Sequence, residues 1–275
     1  MPVSLLLLPV GVLIGAVLGL TGAGGSVLAV PLLLFLLQLE PAAATGLALG
    51  VVAASSAYGA LQRIRQREVL WIPALLFGAS GALFAPPGRW LASQMPPAVL
   101  LAGFGALALV IAGRMLMQSL RHPEEALVVR AGEGAAVAAE PLLCRLSEHG
   151  RFDWRPRCMA GLITGGVLTG LLSGFFGVGG GFLIVPFLNQ LNAVSMRPAV
   201  ATSLVIIAAI SGSGFVAHIA VEPVDWPALG LLAAGGVGGM ALGSVQARRL
   251  AGPVLQRIFA VTIAAMALAV FWRAA

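Results

Sequence analysis

The chain has 275 residues, of which 59% are hydrophobic and only 9% are charged, and its mean hydropathy is +1.00. Because soluble globular proteins carry roughly 25% charged residues, this composition excludes a soluble domain and predicts an integral membrane protein. The sixteen basic residues are all arginine and exceed the ten acidic ones, which gives a net charge of +6. In a membrane protein, such an excess marks loops on the cytoplasmic side rather than a surface for nucleic acid.

The first half of the chain, residues 1–118, is predicted to be helical, because its apolar segments are continuous runs rather than the alternating pattern of barrel strands. The start of the chain lacks the basic region and the cleavage site of a signal peptide, so we expect it to stay in the mature protein. A helix is predicted at 4–20, before a glycine-rich break. The short segment after the break and three spans of membrane length are predicted at 26–38, 42–61, 69–86 and 97–118.

A polar linker, residues 119–157, separates this half from the second half, residues 158–275. The linker carries six arginines and six acids, which predicts a cytoplasmic loop without a hydrophobic core of its own. Cysteines on the cytoplasmic side stay reduced, so no disulfide is predicted between Cys144 and Cys158. The second half repeats the order of the first, with a helix, a short segment and three spans predicted at 158–175, 181–191, 198–218, 226–245 and 252–272.

The two halves form an internal duplication around a glycine-rich motif. The first copy is GAVLGLTGAGGSVLAVP at 15–31, and the second is GLLSGFFGVGGGFLIVP at 170–186. Extended back by four residues, the two stretches match at eleven of twenty-one positions. A pattern repeated in this way predicts two similar structural units. After a further two-residue shift, PAAATG faces PAVATS, which makes Thr45 the counterpart of Thr202.

Arginine positions predict that the two units lie in opposite orientations. The loop at 62–68 has three arginines, whereas its counterpart at 221–226 has two acids and no arginine. The next loop shows the opposite bias, with Arg89 alone in the first half and Arg248 and Arg249 in the second. Because arginines hold loops on the cytoplasmic side, the units are predicted to be inverted-topology repeats.

The short segment after each glycine break is predicted to be one arm of a re-entrant hairpin. The two segments have 13 and 11 residues, which reach roughly 20 Å and 17 Å at 1.5 Å per residue. Neither length crosses a hydrocarbon core of roughly 30 Å, so the glycine tip would lie at membrane depth. The predicted fold class is therefore an all-α polytopic membrane protein of two inverted-topology repeats, each a broken or re-entrant helical hairpin plus three transmembrane helices. Ten full crossings are the alternative.

The glycines of the motif fall into two classes with different predicted roles. Those spaced four apart, in the GxxxGxxxG part, are typical of close helix packing. The denser ones would break the helix or allow positive φ. A helix that starts after the break presents unpaired N–H groups and the positive end of its dipole to the tip, where an anion would bind. The candidate substrate-binding residues are therefore Gly22, Gly24, Gly25, Ser26, Gly177, Gly179, Gly180 and Gly181.

Hydroxyl groups near the breaks are further candidates for the same site. Thr45, Thr202 and Ser203 lie near the starts of long spans, although such hydroxyls also commonly bond carbonyls of their own helix. His218, near the end of a span, is either an interfacial residue or a proton relay. Weaker hydroxyl candidates are Ser55, Ser56, Ser173, Ser211 and Ser213.

Other classes of function are disfavoured by what the predicted spans lack. They contain no deep carboxylate, which disfavours a cation antiporter. They also contain no catalytic or metal-binding constellation, which predicts that the protein is not an enzyme and needs no cofactor. The expected partners are a small anion and the lipid bilayer, with no nucleic acid, and the chain could also form a homo-oligomer.

The duplicated G-x-x-x-G-x-x-x-G-x-x-G-x-G-G-G motif, followed by V-P and a P-x-x-A-T-[GS] segment, resembles the TauE/SafE family of sulfite exporters. The resemblance covers essentially the whole chain except the linker. It implies a permease of the cell membrane, the inner membrane in a bacterium, for a small sulfur-containing or organic anion such as sulfite, a sulfonate or thiosulfate. Ser26 stands where the second copy has Gly181, so the two copies are not strictly equivalent.

The leading hypothesis is a secondary transporter, and an exporter in particular. It would work by alternating access between the inverted repeats, with a midplane site at the glycine-rich breaks. An anion channel and a non-transporting membrane component are the alternatives.

Overall fold

The computed structural model describes residues 3–22, 25–121, 156–181, 184, 196–246, 261, 264 and 265, and every secondary-structure element among them is an α-helix. Several predicted segments lie wholly or largely outside these residues. They are the linker 119–157, the second short segment 181–191 and the last span 252–272.

The described part of the chain folds into eight helices, five from the first half and three from the second. They are α1 (Val3–Thr21), α2 (Ser26–Leu36), α3 (Pro41–Arg65), α4 (Trp71–Ser93), α5 (Pro97–Arg121), α6 (Pro156–Phe176), α7 (Met196–Ile219) and α8 (Trp226–Gln246). Four of the described helices contain stretches long and apolar enough to cross a membrane, namely Pro41–Arg65, Cys158–Phe176, Pro198–Ile219 and Trp226–Gln246. The prediction of an all-α polytopic membrane protein is confirmed.

Both glycine breaks interrupt helices where the sequence predicts them. α1 ends at Thr21 and α2 begins at Ser26, while α6 ends at Phe176, immediately before the second glycine cluster. The short helix α2 is buried along most of its length, from Ser26 to Leu34. It is therefore enclosed by protein, which is the condition under which a broken backbone is tolerated at membrane depth.

One helix extends well past its predicted end. The span predicted at 69–86 continues as α4 to Ser93, through the adjacent prolines Pro86 and Pro87. Proline lacks an N–H group and crowds the preceding turn, which usually kinks or ends a helix. In α4, the turn after the prolines lies tightly against α6, because a Cβ atom on Gly88 would overlap the backbone oxygen of Leu171. We attribute the continued helix to this packing.

Close packing joins α1 to α8 and α4 to α6, and glycines make it close. A Cβ atom on any of the glycines spaced four apart would collide with the backbone of the partner helix. The oxygens met by Gly11, Gly15 and Gly19 belong to Leu232, Gly236 and Met240 of α8, and those met by Gly166, Gly170 and Gly174 belong to Phe77, Gly81 and Ala85 of α4. The packing role predicted for the GxxxGxxxG part is confirmed.

These contacts recur in the two halves with a constant offset of 155 residues. Gly15 meets Gly236 where Gly170 meets Gly81, and Gly59 meets Leu204 where Gly214 meets Leu49. The first helix of each half thus packs against the helix that follows the long span of the other half. The two halves interlock by one set of contacts used twice.

The constant offset corrects one predicted equivalence. Gly22 packs against Val200 as Gly177 packs against Thr45. The counterpart of Thr45 is therefore Val200, and the equivalence predicted between Thr45 and Thr202 is wrong by two residues. The PAAATG motif of α3 and the PAVATS motif of α7 are 157 residues apart, whereas the packing contacts of these helices are 155 residues apart.

In the first half, α2 folds back along α1. A Cβ atom on Gly25, just before α2, would overlap the backbone of Leu18 in α1. At the other end, Leu7 near the start of α1 and Leu39 just after α2 line the same cavity. α1 and α2 therefore form a hairpin whose two free ends lie together, with the glycine break at its tip.

One cysteine departs from expectation. Cys158, near the start of α6, is fully buried and disulfide-bonded. Its partner lies outside the described residues. The expectation that the cysteines stay reduced, which rested on a cytoplasmic linker, is wrong for Cys158 in this structure.

The close glycine contacts predict a sharp difference between two neighbouring positions of α8. A Cβ atom on Gly239 would overlap the carbonyl oxygen of Val12, whereas a Cβ atom on Gly238 would have no described atom within 4 Å. We expect Gly239→Ala to lower the free energy of unfolding by about 1–3 kcal/mol, because the helices must separate to admit the methyl group. The matched control Gly238→Ala should leave it unchanged or raise it, because alanine favours the helix. Thermal unfolding in detergent measures both, and equal effects would contradict the assigned packing.

Candidate functional site

The first break is a tight turn held by main-chain and side-chain hydrogen bonds. The N–H group of Gly22 donates to Leu18 O over 2.8 Å, and Gly22 has a φ of +73°. The Thr21 hydroxyl donates to Val17 O over 2.8 Å and accepts the N–H group of Gly25 over 3.1 Å. Thr21 thus satisfies a donor that the turn would leave buried. The predicted site residue Gly24 lies outside the described residues.

The second break contains three glycines in the left-handed region. Their φ values are +72° at Gly177, +72° at Gly179 and +67° at Gly180. This conformation strains any residue with a Cβ atom. The positive φ predicted for the dense glycines is thus confirmed at these three and at Gly22, whereas Gly25 has a φ of −66°. The N–H group of Gly177 donates to Ser173 O over 2.8 Å, which reproduces the turn at Gly22. Gly181 follows and is buried.

The structure brings the two breaks together near the middle of the long helices. A Cβ atom on Gly179 would lie 3.4 Å from Cβ of Ser26, the first residue of α2. It would also lie 2.9 Å from Cγ1 of Val52 in α3 and 2.8 Å from Oγ of Ser211 in α7. A side chain at position 179 would therefore close the space in which the first turn of α2 meets the second break.

The helix start at this meeting point is polar and lacks a capping side chain. Gly25 is the N-cap residue of α2, and no side chain of the described residues caps it. The N–H group of Leu28 in the first turn donates to Gly25 O over 3.2 Å, and this turn carries the positive end of the helix dipole. The start of α2 therefore presents a positive potential beside the second break.

Two buried hydroxyl groups border the same place. Among the described residues, neither Ser211 Oγ nor Ser173 Oγ has a hydrogen-bond partner, and both side chains are inaccessible to solvent. Ser173 packs beside Gly180, and Ser211 packs beside Gly179. A buried polar group without a partner is costly, and a ligand or water that completes its hydrogen bonds is a usual explanation.

The predicted hydroxyl residues are distributed differently. The Thr45 hydroxyl donates to Pro41 O of its own helix over 2.8 Å, and its methyl group packs on Gly177. Ser203 donates to Val200 O over 2.8 Å and contacts Gly22 O at 3.3 Å. The Thr202 hydroxyl instead accepts the N–H group of Leu70 over 3.0 Å and joins α7 to the start of α4. Thr45 and Ser203 thus border the breaks, and Thr202 does not.

Ser211 and Ser173, weaker candidates by sequence, both lie beside the second break. The constant offset supplies a signal that was present in the sequence, since it pairs Ser211 with Ser56, a second serine in the middle of a long helix. The Ser56 hydroxyl donates to Val52 O of its own helix. Only tertiary contacts distinguish these two serines, because both are fully buried.

In the described part of the chain, no charged side chain lies at the meeting point of the two breaks. Among the described residues, the buried polar side chains are hydroxyl groups together with Arg89 and His218, and no carboxylate is buried. Arg89 pairs with Glu222 over 2.5 Å, near the end of α4. The meeting point of the two breaks therefore has donors and no buried acid to repel an anion.

The chain is similar to known membrane transporters. The profile of the family described as "Sulfite exporter TauE/SafE" matches residues 7–270. A "Probable membrane transporter protein" of Xylella fastidiosa (strain 9a5c) is 30% identical over 266 residues, which cover 96% of this chain and 93% of that protein. The "Probable membrane transporter protein YunE" of Bacillus subtilis (strain 168) is 26% identical over 233 residues, 80% of each chain. No solved structure is significantly similar to the chain.

The chain therefore belongs to the TauE/SafE family, and it is an integral membrane protein of a transporter family rather than of an enzyme family. The resemblance seen in the duplicated glycine motif is confirmed.

Proposed function

We propose that this member of the TauE/SafE family is a secondary transporter that exports a small sulfur-containing or organic anion, such as sulfite, a sulfonate or thiosulfate, across the inner membrane of a bacterium. The observation that carries the proposal is the contact between Ser26 and Gly179, which places the start of α2 against the second glycine break. The unpartnered Ser211 hydroxyl beside this contact, among the described residues, supports it.

The chemistry of this meeting point suits an oxyanion. Hydroxyl groups such as that of Ser211 donate hydrogen bonds, which sulfur-bound oxygens accept. The helix dipole adds up to about 2 kcal/mol in a partly buried geometry. The glycines at positions 177, 179 and 180 let the backbone approach the ligand, since a Cβ atom at any of them would overlap side chains already packed there.

A site built from neutral donors also suits release of the anion. An arginine or lysine at the same depth would attract the anion strongly, because Coulomb energies rise as the dielectric constant falls. A transporter must release its substrate on the far side, so moderate affinity is required. The nearest buried cation among the described residues, Arg89, is already paired with Glu222.

The two-fold packing supports alternating access. Each half uses the same contacts, offset by 155 residues, against opposite partners. If the halves are inverted in the membrane, exchanging their conformations would exchange the face to which the central site opens. In this proposal the loop at 62–68 is cytoplasmic and the loop at 221–226 lies outside, as the arginine bias predicts.

Transport itself is tested with the purified full-length protein in liposomes. We expect saturable efflux of radiolabelled sulfite, thiosulfate or a sulfonate, and faster efflux when unlabelled anion is present on the opposite side. Such stimulation requires a carrier that returns loaded, so its absence alongside conductive flux would favour the anion channel. No flux of any of these anions above empty liposomes would refute the proposal.

Ser211→Ala separates the role of this hydroxyl in transport from a role in folding. A hydrogen bond to a charged ligand is worth roughly 1.5–3 kcal/mol, so we expect transport efficiency to fall about 10- to 100-fold. Stability should not fall, since no described partner is lost. Ser213→Ala should lower stability and leave transport efficiency unchanged, because the Ser213 hydroxyl donates to Ala82 O over 2.6 Å. Gly212→Ala, with no described atom within 4 Å of its Cβ position, is the neutral control for flux.

The orientation of the two halves is tested by labelling single cysteines from outside the cell. Arg65→Cys and Pro223→Cys place exposed cysteines in the two loops of opposite arginine bias, in a background that carries Cys144→Ser and Cys158→Ser. We expect an impermeant maleimide to label position 223 in intact cells and position 65 only after permeabilisation. Labelling of both positions from the same side would contradict the inverted arrangement.

A further inference from the structure

A second polar cluster lies at the end of α7, away from the meeting point of the two breaks. His218 is 1% exposed, and its Nδ1 atom has no hydrogen-bond partner among the described residues. Arg89 of α4 and Glu222 of the following loop are the charged groups whose fields act on it. The backbone N–H group of Glu222 donates to His218 O over 2.9 Å, which holds the carboxylate one turn beyond the imidazole.

This cluster adjoins a cavity of about 450 Å³ between the starts of α3 and α8. His218 forms part of its wall, and Asp225 lies on the same wall and caps α8 through the N–H group of Ala228 at 3.1 Å. The remaining lining residues are apolar or proline: Leu7, Leu39, Ala43, Leu47, Pro223, Val224, Pro227, Ala228 and Leu231. Water in this cavity would reach the imidazole without crossing the protein core.

The imidazole is also connected to the second glycine break through the start of α3. Its Nε2 atom fills the space that a side chain at Gly46 would occupy, so it lies directly on the first turns of α3. The neighbouring residue Thr45 packs its methyl group on Gly177, the first glycine of the second break. The start of α3 is thus held between His218 on one side and the break on the other.

We propose that His218 is a proton-binding residue that couples anion transport to a proton entering from this cavity. The inference rests on the proposed transport function and names the second ion that the transporter carries. In the step itself, a hydronium ion in the cavity transfers its proton to the imidazole Nδ1 atom and leaves a water molecule. The imidazolium returns the proton to water later in the cycle, and no covalent bond of the anion changes. Histidine suits this role because its imidazole ring can bind and release a proton.

Protonation would change the contacts of the whole cluster. With a neutral imidazole, Glu222 pairs with Arg89 alone. An imidazolium beside them makes two cations compete for one carboxylate, and it seeks water or the carboxylate rather than the apolar surface of Gly46. Movement of the ring releases the start of α3 and with it the contact between Thr45 and Gly177. Proton binding is thereby transmitted to the anion site.

Charged groups reach His218 from α4 and from the loop after α7. α4 contributes Arg89, the loop contributes Glu222, and Asp225 lines the same cavity as His218. In the described part of the chain, α3 and α1 face the cavity with apolar residues only. Arg89 also leaves its Nε atom without a described partner. A cluster that served packing alone would be expected to satisfy these buried groups.

The test uses the purified full-length protein in liposomes, with the membrane potential clamped at zero and a pH gradient of one unit. Radiolabelled thiosulfate and methanesulfonate are the probes, because both stay ionised throughout the pH range, unlike sulfite. Export of the anion against an entering proton is an exchange, so for one proton per anion the wild-type protein should accumulate the probe in the acidic compartment up to about tenfold. Exchange of labelled for unlabelled anion is measured in parallel without a gradient.

His218→Gln should abolish the accumulation driven by the pH gradient while keeping exchange within about twofold of wild type. A residue with a purely structural role would lower both together. His149→Gln, in the linker, is the matched control and should accumulate the anion as wild type does. Glu222→Gln is the second variant, in case the first does not fold, and should weaken the response to the gradient with exchange retained.

Each outcome bears on one proposal or on both. Unchanged gradient-driven accumulation in His218→Gln would overturn the proton inference and leave the transport function standing. Wild-type flux that ignores the pH gradient would do the same. Absence of wild-type flux for every anion tested would refute the transport function and the inference with it.

Discussion

A backbone that leaves the helical conformation inside a packed protein must find hydrogen-bond partners there, and this constraint organises the molecule. The turn at the first break meets it with the hydroxyl of Thr21 and the carbonyl of Leu18. The second break repeats the turn through Ser173 O. Beside these turns lies the positive end of α2, which has no capping side chain among the described residues. The proposed anion site is the place where this remaining polarity is concentrated.

Local features of the sequence predicted much of this structure. Helix breaks, positive φ and GxxxGxxxG packing follow from the density and spacing of glycines, which act over a few residues. The register between α3 and α7 was predicted wrongly. The PAAATG and PAVATS motifs align in sequence two residues away from the positions that occupy equivalent places in the packed helices. The positions of Thr202 and Ser211 were beyond prediction from one sequence. A hydroxyl that bonds a distant backbone N–H group cannot be told from an unpartnered one until the helices are packed.

The structure separates a rigid part of each half from a part suited to movement. Contacts between α1 and α8, and between α4 and α6, are made by backbone on backbone, where no side chain can adjust. The contact of His218 with Gly46 and that of Thr45 with Gly177 instead place side chains between elements. Side chains can change rotamer, so these contacts can be made and broken at lower cost than the glycine interfaces. A conformational cycle should therefore keep the glycine interfaces intact and make and break the side-chain contacts.

The constant offset of 155 residues has a consequence for how such a chain can arise and change. A half-length chain that carried one copy of these contacts could pair with a second copy of itself as a dimer and make each of the recurring contacts twice. Fusion of the two copies needs only a connection, which is the role the linker fills. After fusion the halves are free to differ, and Ser211 in one half and Ser56 in the other already bond differently. The chain thus retains the geometry of a symmetric dimer while allowing one half to specialise.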